Sequence, residues 1–176
     1  MLFNSIEFLF FLPIVFILYW FVFNRHRSLQ NLFIVIVSYI FYGWWSQSFL
    51  ILIFITTICS YLSGVLIEIL SRRTAKKIVA VTNVVLNLGL LGVYKYANFF
   101  IENFHALFLQ LGVNLNISSL NLILPVGISF YTFQALSYTI DVYKKDIEPT
   151  KDVISFFAYI SFFPQLVAGP IKEPLI

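Results

Sequence analysis

The sequence predicts an all-α fold: a polytopic membrane helical bundle of about six transmembrane helices plus one interfacial amphipathic helix. Three observations predict it. First, 60% of the 176 residues are hydrophobic and only 11% are charged, against about 25% charged in soluble domains. Second, the apolar residues gather into six runs, each near the roughly 20 residues a helix needs to cross a bilayer. Third, the basic residues between the runs fall on alternate loops. Together with a mean hydropathy of +0.91, these exclude an ordinary soluble domain, and they exclude disorder, which needs solvating charge. A net charge of +3 is too small to point to nucleic acid. The single cysteine, Cys59, lies in an apolar run, cannot form an internal disulfide, and says nothing about redox compartment.

The first run is Phe8 to Phe23. No Lys or Arg precedes it and large residues (Trp20, Phe21, Phe23) fill its end. A cleaved signal peptide has the opposite pattern, so the run reads as a retained span. Arg25, His26 and Arg27 stop it. The second run, Leu32 to Trp45, closes with Tyr42, Trp44 and Trp45, rings that favour the headgroup level. Ser46, Gln47 and Ser48 make a short turn. The third run, Phe49 to Ile67, ends in Glu68 and the basic loop of Arg72, Arg73, Lys76 and Lys77. The fourth is Ile78 to Tyr94, and its Gly89 and Gly92 read as a site of close helix packing. From Ala97 to Gly112, Phe100, Phe104, Leu107, Phe108 and Leu111 recur at helical spacing with Asn98, Glu102, His105 and Gln110 largely between them, a pattern suited to lying in the interface. A polar link, Asn114 to Ser119, follows. The fifth run, Leu120 to Ile140, is broken early by Pro125 and Gly127. A polar stretch, Asp141 to Asp152, leads to the sixth run, Val153 to Ala168, interrupted by Pro164 and followed by Gly169, Pro170 and Pro174. No internal repeat or soluble domain is visible, so residues 1–176 read as one membrane unit.

If every run crosses, one side receives Arg25, Arg27, Arg72, Arg73, Lys76, Lys77, Lys144, Lys145 and Lys151, and the other only Lys95 and Lys172. By the positive-inside rule the first side is cytoplasmic and the N-terminus extracytoplasmic.

The fifth run carries more polarity than lipid tolerates. Gly127, Tyr131, Gln134, Tyr138 and Asp141 step by 4, 3, 4 and 3, which puts them on one helix stripe. Ser129, Thr132, Ser137 and Thr139 add hydroxyls nearby. Such a stripe must face protein or a wet cavity. Two readings stay open: hydrogen-bonded glue between helices, and the wall of a substrate or cofactor tunnel lined by Tyr131, Gln134, Tyr138 and Asp141. Pro164 and Gln165 join the tunnel candidates, because a broken helix frees backbone groups that need a polar lining. His26, between two arginines, reads as an interfacial contact, and His105, three residues after Glu102, as a surface pair. No metal site or phosphate-binding loop has support.

Two stretches resemble a known family. Leu124-Pro125-Val126-Gly127-Ile128-Ser129-Phe130-Tyr131-Thr132-Phe133-Gln134 continues to Ser137-Tyr138 and Asp141-Val142-Tyr143, and Phe163-Pro164-Gln165-Leu166-Val167-Ala168-Gly169-Pro170-Ile171 follows. In this order and separation they resemble the membrane-bound O-acyltransferase (MBOAT) family, in the branch of bacterial alginate and peptidoglycan O-acetylation proteins. The aromatic run ending in Tyr42, Gly43 and Trp44 looks like that branch too, and the resemblance covers nearly the whole chain.

The resemblance implies a multi-pass protein of the cell (inner) membrane. It implies transfer of an acetyl group from acetyl-CoA toward a cell-surface polysaccharide, with an extracytoplasmic acetyltransferase partner finishing the reaction. Acetyl-CoA is the implied donor, and no bound cofactor is expected. It also implies a catalytic histidine in a later membrane segment, so no residue here is assigned that role, and the chain is expected to be the first third or so of a larger protein. A cut-off bundle would leave the stripe of Tyr131, Gln134 and Tyr138 partly exposed. The rival readings are a membrane transporter subunit, since broken helices and polar stripes also build substrate paths, and an inactive truncated remnant.

Overall fold

The computed structural model describes residues 5–23, 26–44, 47–110 and 127–168. Among these residues every element is helical. Helix α1 (Ile6–Ile17) starts where the Ser5 hydroxyl accepts a hydrogen bond from the Phe8 N–H (3.3 Å), and it runs on as a π-helical turn, Leu18–Val22. Helix α2 (Arg27–Gly43) begins after an extended His26, followed by α3 (Gln47–Ile69) and α4 (Arg73–Gln110). Helix α5 is Ile128–Lys144. The sixth run forms two short helices, α6 (Val153–Ile160) and α7 (Phe163–Ala168).

Three boundaries differ from the sequence expectation. The amphipathic stretch from Ala97 is not a separate helix: α4 passes through it unbroken to Gln110, because no Pro or unfavourable cap separates the two patterns. At about 1.5 Å per residue its 38 residues extend well beyond the ~30 Å of a hydrocarbon layer. The sixth run breaks at Ser161 and Phe162, before Pro164 rather than at it. Pro164 then occupies the second position of α7, where its missing N–H would have had no helical acceptor. In the fifth run, α5 starts directly after Gly127, whose φ of 78° lies in the left-handed region that glycine adopts without a Cβ clash. Pro125, the link Asn114 to Ser119, and residues 169–176 lie outside the described residues.

Helix α5 packs between α3 and α4, α2 packs along α6, and contacts between α2 and α3 join the two groups. The interior is polar for its depth. Ser38, Thr56, Thr57, Ser60, Ser63, Asn83, Asn87, Thr132, Thr139 and Ser161 are all buried, while Ile6, Phe21, Ile69 and Val85 stand exposed. This inversion is what a bilayer selects: lipid tails are as apolar as Leu, so helices associate through small residues and hydrogen bonds instead. Two helical stretches, Phe49–Ile69 and Arg73–Gln110, are long and apolar enough to cross a membrane on their own.

Candidate functional site

The polar stripe of α5 is turned inward. Tyr131 is fully buried, Tyr138 is 7% exposed, and Gln134 and Asp141 are half-buried. The expectation that Tyr131, Gln134 and Tyr138 would stay partly exposed in these residues alone is therefore wrong for the two tyrosines. Helices α3 and α4 already cover that face of α5.

The stripe divides into two halves with different chemistry. The lower half is bonded. The Tyr138 hydroxyl accepts from the Thr150 N–H at 3.2 Å, and its ring crosses α3 at Gly64, where an added Cβ would lie 2.5 Å from the hydroxyl oxygen. The neighbouring Thr139 hydroxyl donates to the Ala135 carbonyl (3.0 Å) and accepts from Asn83 Nδ2 (2.7 Å). These are the contacts of helix-locking glue, and Tyr138 loses much of its case as a tunnel wall. Asp141 caps the chain reversal through its carbonyl, which accepts from the Asp146 N–H at 2.9 Å. The upper half is unpaired. The Tyr131 hydroxyl and both amide atoms of Gln134 are buried without a hydrogen-bond partner, a condition that costs about 1–3 kcal/mol per group and calls for an explanation.

The broken segment reaches the same helix, since α7 contacts both α5 and α2. Its backbone is satisfied by protein: the Phe163 N–H donates to Ser38 Oγ on α2 (3.3 Å), the Gln165 N–H to the Phe162 carbonyl (3.2 Å), and both the N–H and the hydroxyl of Ser161 to the Phe157 carbonyl. Phe163 is buried against Phe11 and Phe41, with ring centroids at 5.7 and 5.2 Å. Pro164 and Gln165 are half-buried. A wet lining is thus not needed to satisfy the freed donors at Phe163 and Gln165.

A second polar centre, not singled out in the sequence, joins α3, α4 and α5. Asn83 Nδ2 reaches Ser60 Oγ (3.2 Å) as well as Thr139, and Asn87 Nδ2 donates to Asn83 Oδ1 and to the Asn83 carbonyl, both at 2.9 Å. Asn87 Oδ1 is buried and unpaired. The signal was available: Thr56, Ser60 and Ser63 step by 4 and 3, and Asn83 and Asn87 by 4, the same stripe spacing as on α5. By contrast Gly89 and Gly92 do not mark close packing, because nothing lies within 4 Å of a Cβ at either; among the described glycines the tight approaches are at Gly64, against Tyr138 of α5, and at Gly43, against Leu50 of α3.

At the far end of α5 the polar stretch to Asp152 is held down from three helices. Tyr138 takes the Thr150 N–H, the Tyr61 hydroxyl donates to the Lys151 carbonyl (3.1 Å), and Asn31 Nδ2 donates to Ser155 Oγ (2.7 Å). These bonds gather the start of α2, the later part of α3, the end of α5 and the start of α6 at one end of the bundle. Asp152 caps α6 by accepting from the Ile154 N–H (3.0 Å) and from the Ser155 hydroxyl, which holds its carboxyl below the usual aspartate range. Lys144, Lys145 and Lys151 are exposed nearby. A groove between α2 and α3, lined by Val35, Tyr39, Ile40, Gly43, Trp44 and Leu50, contains no α5 residue.

The chain is 40% identical over 173 residues to the "Probable alginate O-acetylase AlgI" of Pseudomonas aeruginosa, covering 97% of this chain and 32% of that relative. It is 39% identical over 173 residues to the protein of the same name from Azotobacter vinelandii, covering 97% and 34%. It is 29% identical over 198 residues to the peptidoglycan O-acetyltransferase of Helicobacter pylori, covering 97% and 37%. The chain thus spans about a third of the length of these relatives. No family model and no solved structure matches it. The similarity takes in both sequence motifs, the α5 stripe and the break before Pro164, and it agrees with an all-helical, polar-cored bundle: along 97% of its length the chain is a relative of the alginate O-acetylases and the peptidoglycan O-acetyltransferase, which fits the branch of the membrane-bound O-acyltransferase family that its motifs resemble.

Proposed function

We propose that this chain is the N-terminal part of an MBOAT membrane domain whose full protein transfers an acetyl group from acetyl-CoA toward a cell-surface polysaccharide such as alginate or peptidoglycan. The observation that carries the reading is the identity of about 40% to alginate O-acetylases along 97% of the chain. The protein sits in the cell (inner) membrane with about six crossings and its N-terminus outside. The bias of basic residues supports that orientation, as does the gathering of the basic helix ends at one end of the bundle. The general base is a histidine outside this chain, a role imidazole fills by titrating near neutral pH. An extracytoplasmic acetyltransferase partner completes the transfer to the polymer.

Within this chain, Tyr131 and Gln134 line the donor path and α7, with Pro164 and Gln165, stands beside them. Two facts support that division: the unpaired atoms of Tyr131 and Gln134 and the contact of α7 with α5. Tyr138 and Asp141 hold the cytoplasmic end of the path in shape. Holding donor and acceptor in line supplies much of the rate in such a design. The test is Gln134→Leu in the full-length protein, with acetyl transfer from labelled acetyl-CoA measured beside folded yield in detergent. A path role gives a rate loss of about tenfold or more at unchanged yield. A rate that falls only in step with yield makes Gln134 structural and removes the assignment.

A further inference from the structure

We propose that the Gln134 carboxamide recognises the neutral diamide arm of the thioester donor. Its Oε1 accepts the N–H of the amide farther from the sulfur, and its Nε2 donates to the carbonyl of the amide nearer the sulfur. The proposal rests on the acyl-transfer reading above. Gln134 as a residue is half-buried, yet both of its amide atoms are buried and neither has a hydrogen-bond partner. The surface it shows therefore belongs to the rest of the residue, and the head is turned into the protein. The neighbouring polar centre differs: Asn83 is bonded through both Nδ2 and Oδ1, and Asn87 leaves only its oxygen open. A Met at position 134 would fill a similar space without burying an open donor and an open acceptor.

Charge, depth and geometry say which ligand group fits. The helices that pack against α5 are chiefly α3, α4, α6 and α7. Helix α4 has no charged residue between Lys77 and Lys95, α3 has none before Glu68, and α6 and α7 have none at all; α5 itself has none before Asp141. An ionic group beside Gln134 would find no counter-charge on these helices, so the matching group is neutral. In the proposed orientation Gln134 lies seven residues before Asp141, about 10 Å inward at 1.5 Å per residue. That is too deep for the phosphates of the donor and lies on the way of its arm toward the middle of a ~30 Å layer. A trans amide points its N–H and its C=O in opposite directions, so one amide satisfies only one atom of Gln134. The arm of acetyl-CoA carries two amides in series. The N–H of the outer one and the carbonyl of the inner one belong to the same β-alanyl unit, and both can turn to one side, where a single carboxamide edge meets them. Gln134 is then a positioning residue: it fixes how far the arm enters, and through the arm where the thioester stops.

The experiment uses the full-length protein in detergent with two donors: acetyl-CoA, and an analogue in which an ester oxygen replaces the N–H of the amide farther from the sulfur. The analogue keeps the thioester and the phosphates and removes one hydrogen-bond donor. The wild type should prefer acetyl-CoA by about tenfold in kcat/KM, the worth of one such bond. Gln134→Met should lower kcat/KM for acetyl-CoA about tenfold, more through KM than through kcat, at unchanged folded yield. It should also use the two donors within about twofold of each other, the coupling that a double-mutant cycle reads. If Gln134→Met does not fold, Gln134→Asn carries the test: it retains a carboxamide one methylene short, and it should lose the preference at normal yield. No preference in the wild type, or the same preference in wild type and variant, overturns the proposal alone and assigns the open amide to an internal water or to packing. A wild type that transfers no acetyl group from either donor overturns the acyl-transfer reading and this proposal with it.

Discussion

Gly64 and Tyr138 show how much one missing methyl group decides. A Cβ on Gly64 would sit 2.5, 2.8 and 3.0 Å from the hydroxyl oxygen, Cε1 and Cζ of Tyr138, the first two closer than real contacts allow. Tyr138 cannot retreat without releasing the Thr150 N–H. Gly64→Ala should therefore destabilise the bundle by about 1–3 kcal/mol, seen as a lower Tm in detergent. Adding Tyr138→Phe removes the nearest atom, so the double variant should cost less than the sum of the singles. Gly89→Ala is the control: with open space around it and a helical backbone, it should gain about 0.5–1 kcal/mol. Equal losses at Gly64 and Gly89 would show that the Gly64 crossing is not the tight one.

At the scale of an element, α6 depends on the residue just before it, its N-cap Asp152. It has only eight residues, too few to hold by propensity, and it is fixed by the Asp152 cap, by Ser155 bonding to Asn31, and by packing on α2. Asp152→Ala should cost about 0.5–2 kcal/mol. The Asp152 carboxyl titrates below its ordinary value, chiefly because the Ser155 hydroxyl bonds the charged form. A depressed carboxyl contributes stability that is complete above the unfolded value of about 3.9 and is lost as pH falls through the lower folded value. Protection factors at the Ile154 and Phe156 amides, exchange measured against the intrinsic rate at each pH, should therefore fall on acidification through that window in the wild type and show no such step in Asp152→Asn. An identical acid step in the variant would place the titrating group elsewhere.

For the whole molecule, the testable property is sidedness. Nine basic residues against two support the proposed orientation, in which the basic end faces inward. A cysteine introduced at Ser71 should resist a membrane-impermeant maleimide applied to intact cells, and one at Asn114 should react, with Cys59 replaced by Ser in both. Equal labelling of the two would break the six-crossing arrangement. The α4 helix makes this measurement informative, because its 38 unbroken residues lie between the two positions in the sequence.

Helix content, the polar stripe of α5 and the break in the sixth run were legible in the sequence because each is local. Hydropathy over a window and spacing along one helix need no knowledge of neighbours. The family motifs were legible for the same reason. What only the tertiary structure decided is which polar group meets which. Tyr138 pairs with the Thr150 amide while Tyr131 pairs with nothing, although both lie on the same stripe. Asn83 finds Thr139 across 56 positions and Ser38 finds the Phe163 amide across 125. Gly64, in no motif, marks the close crossing that Gly89 and Gly92 do not. Such pairings depend on the rotation and relative height of helices distant in sequence, and a helix period fixes a residue's face without fixing what that face is packed against.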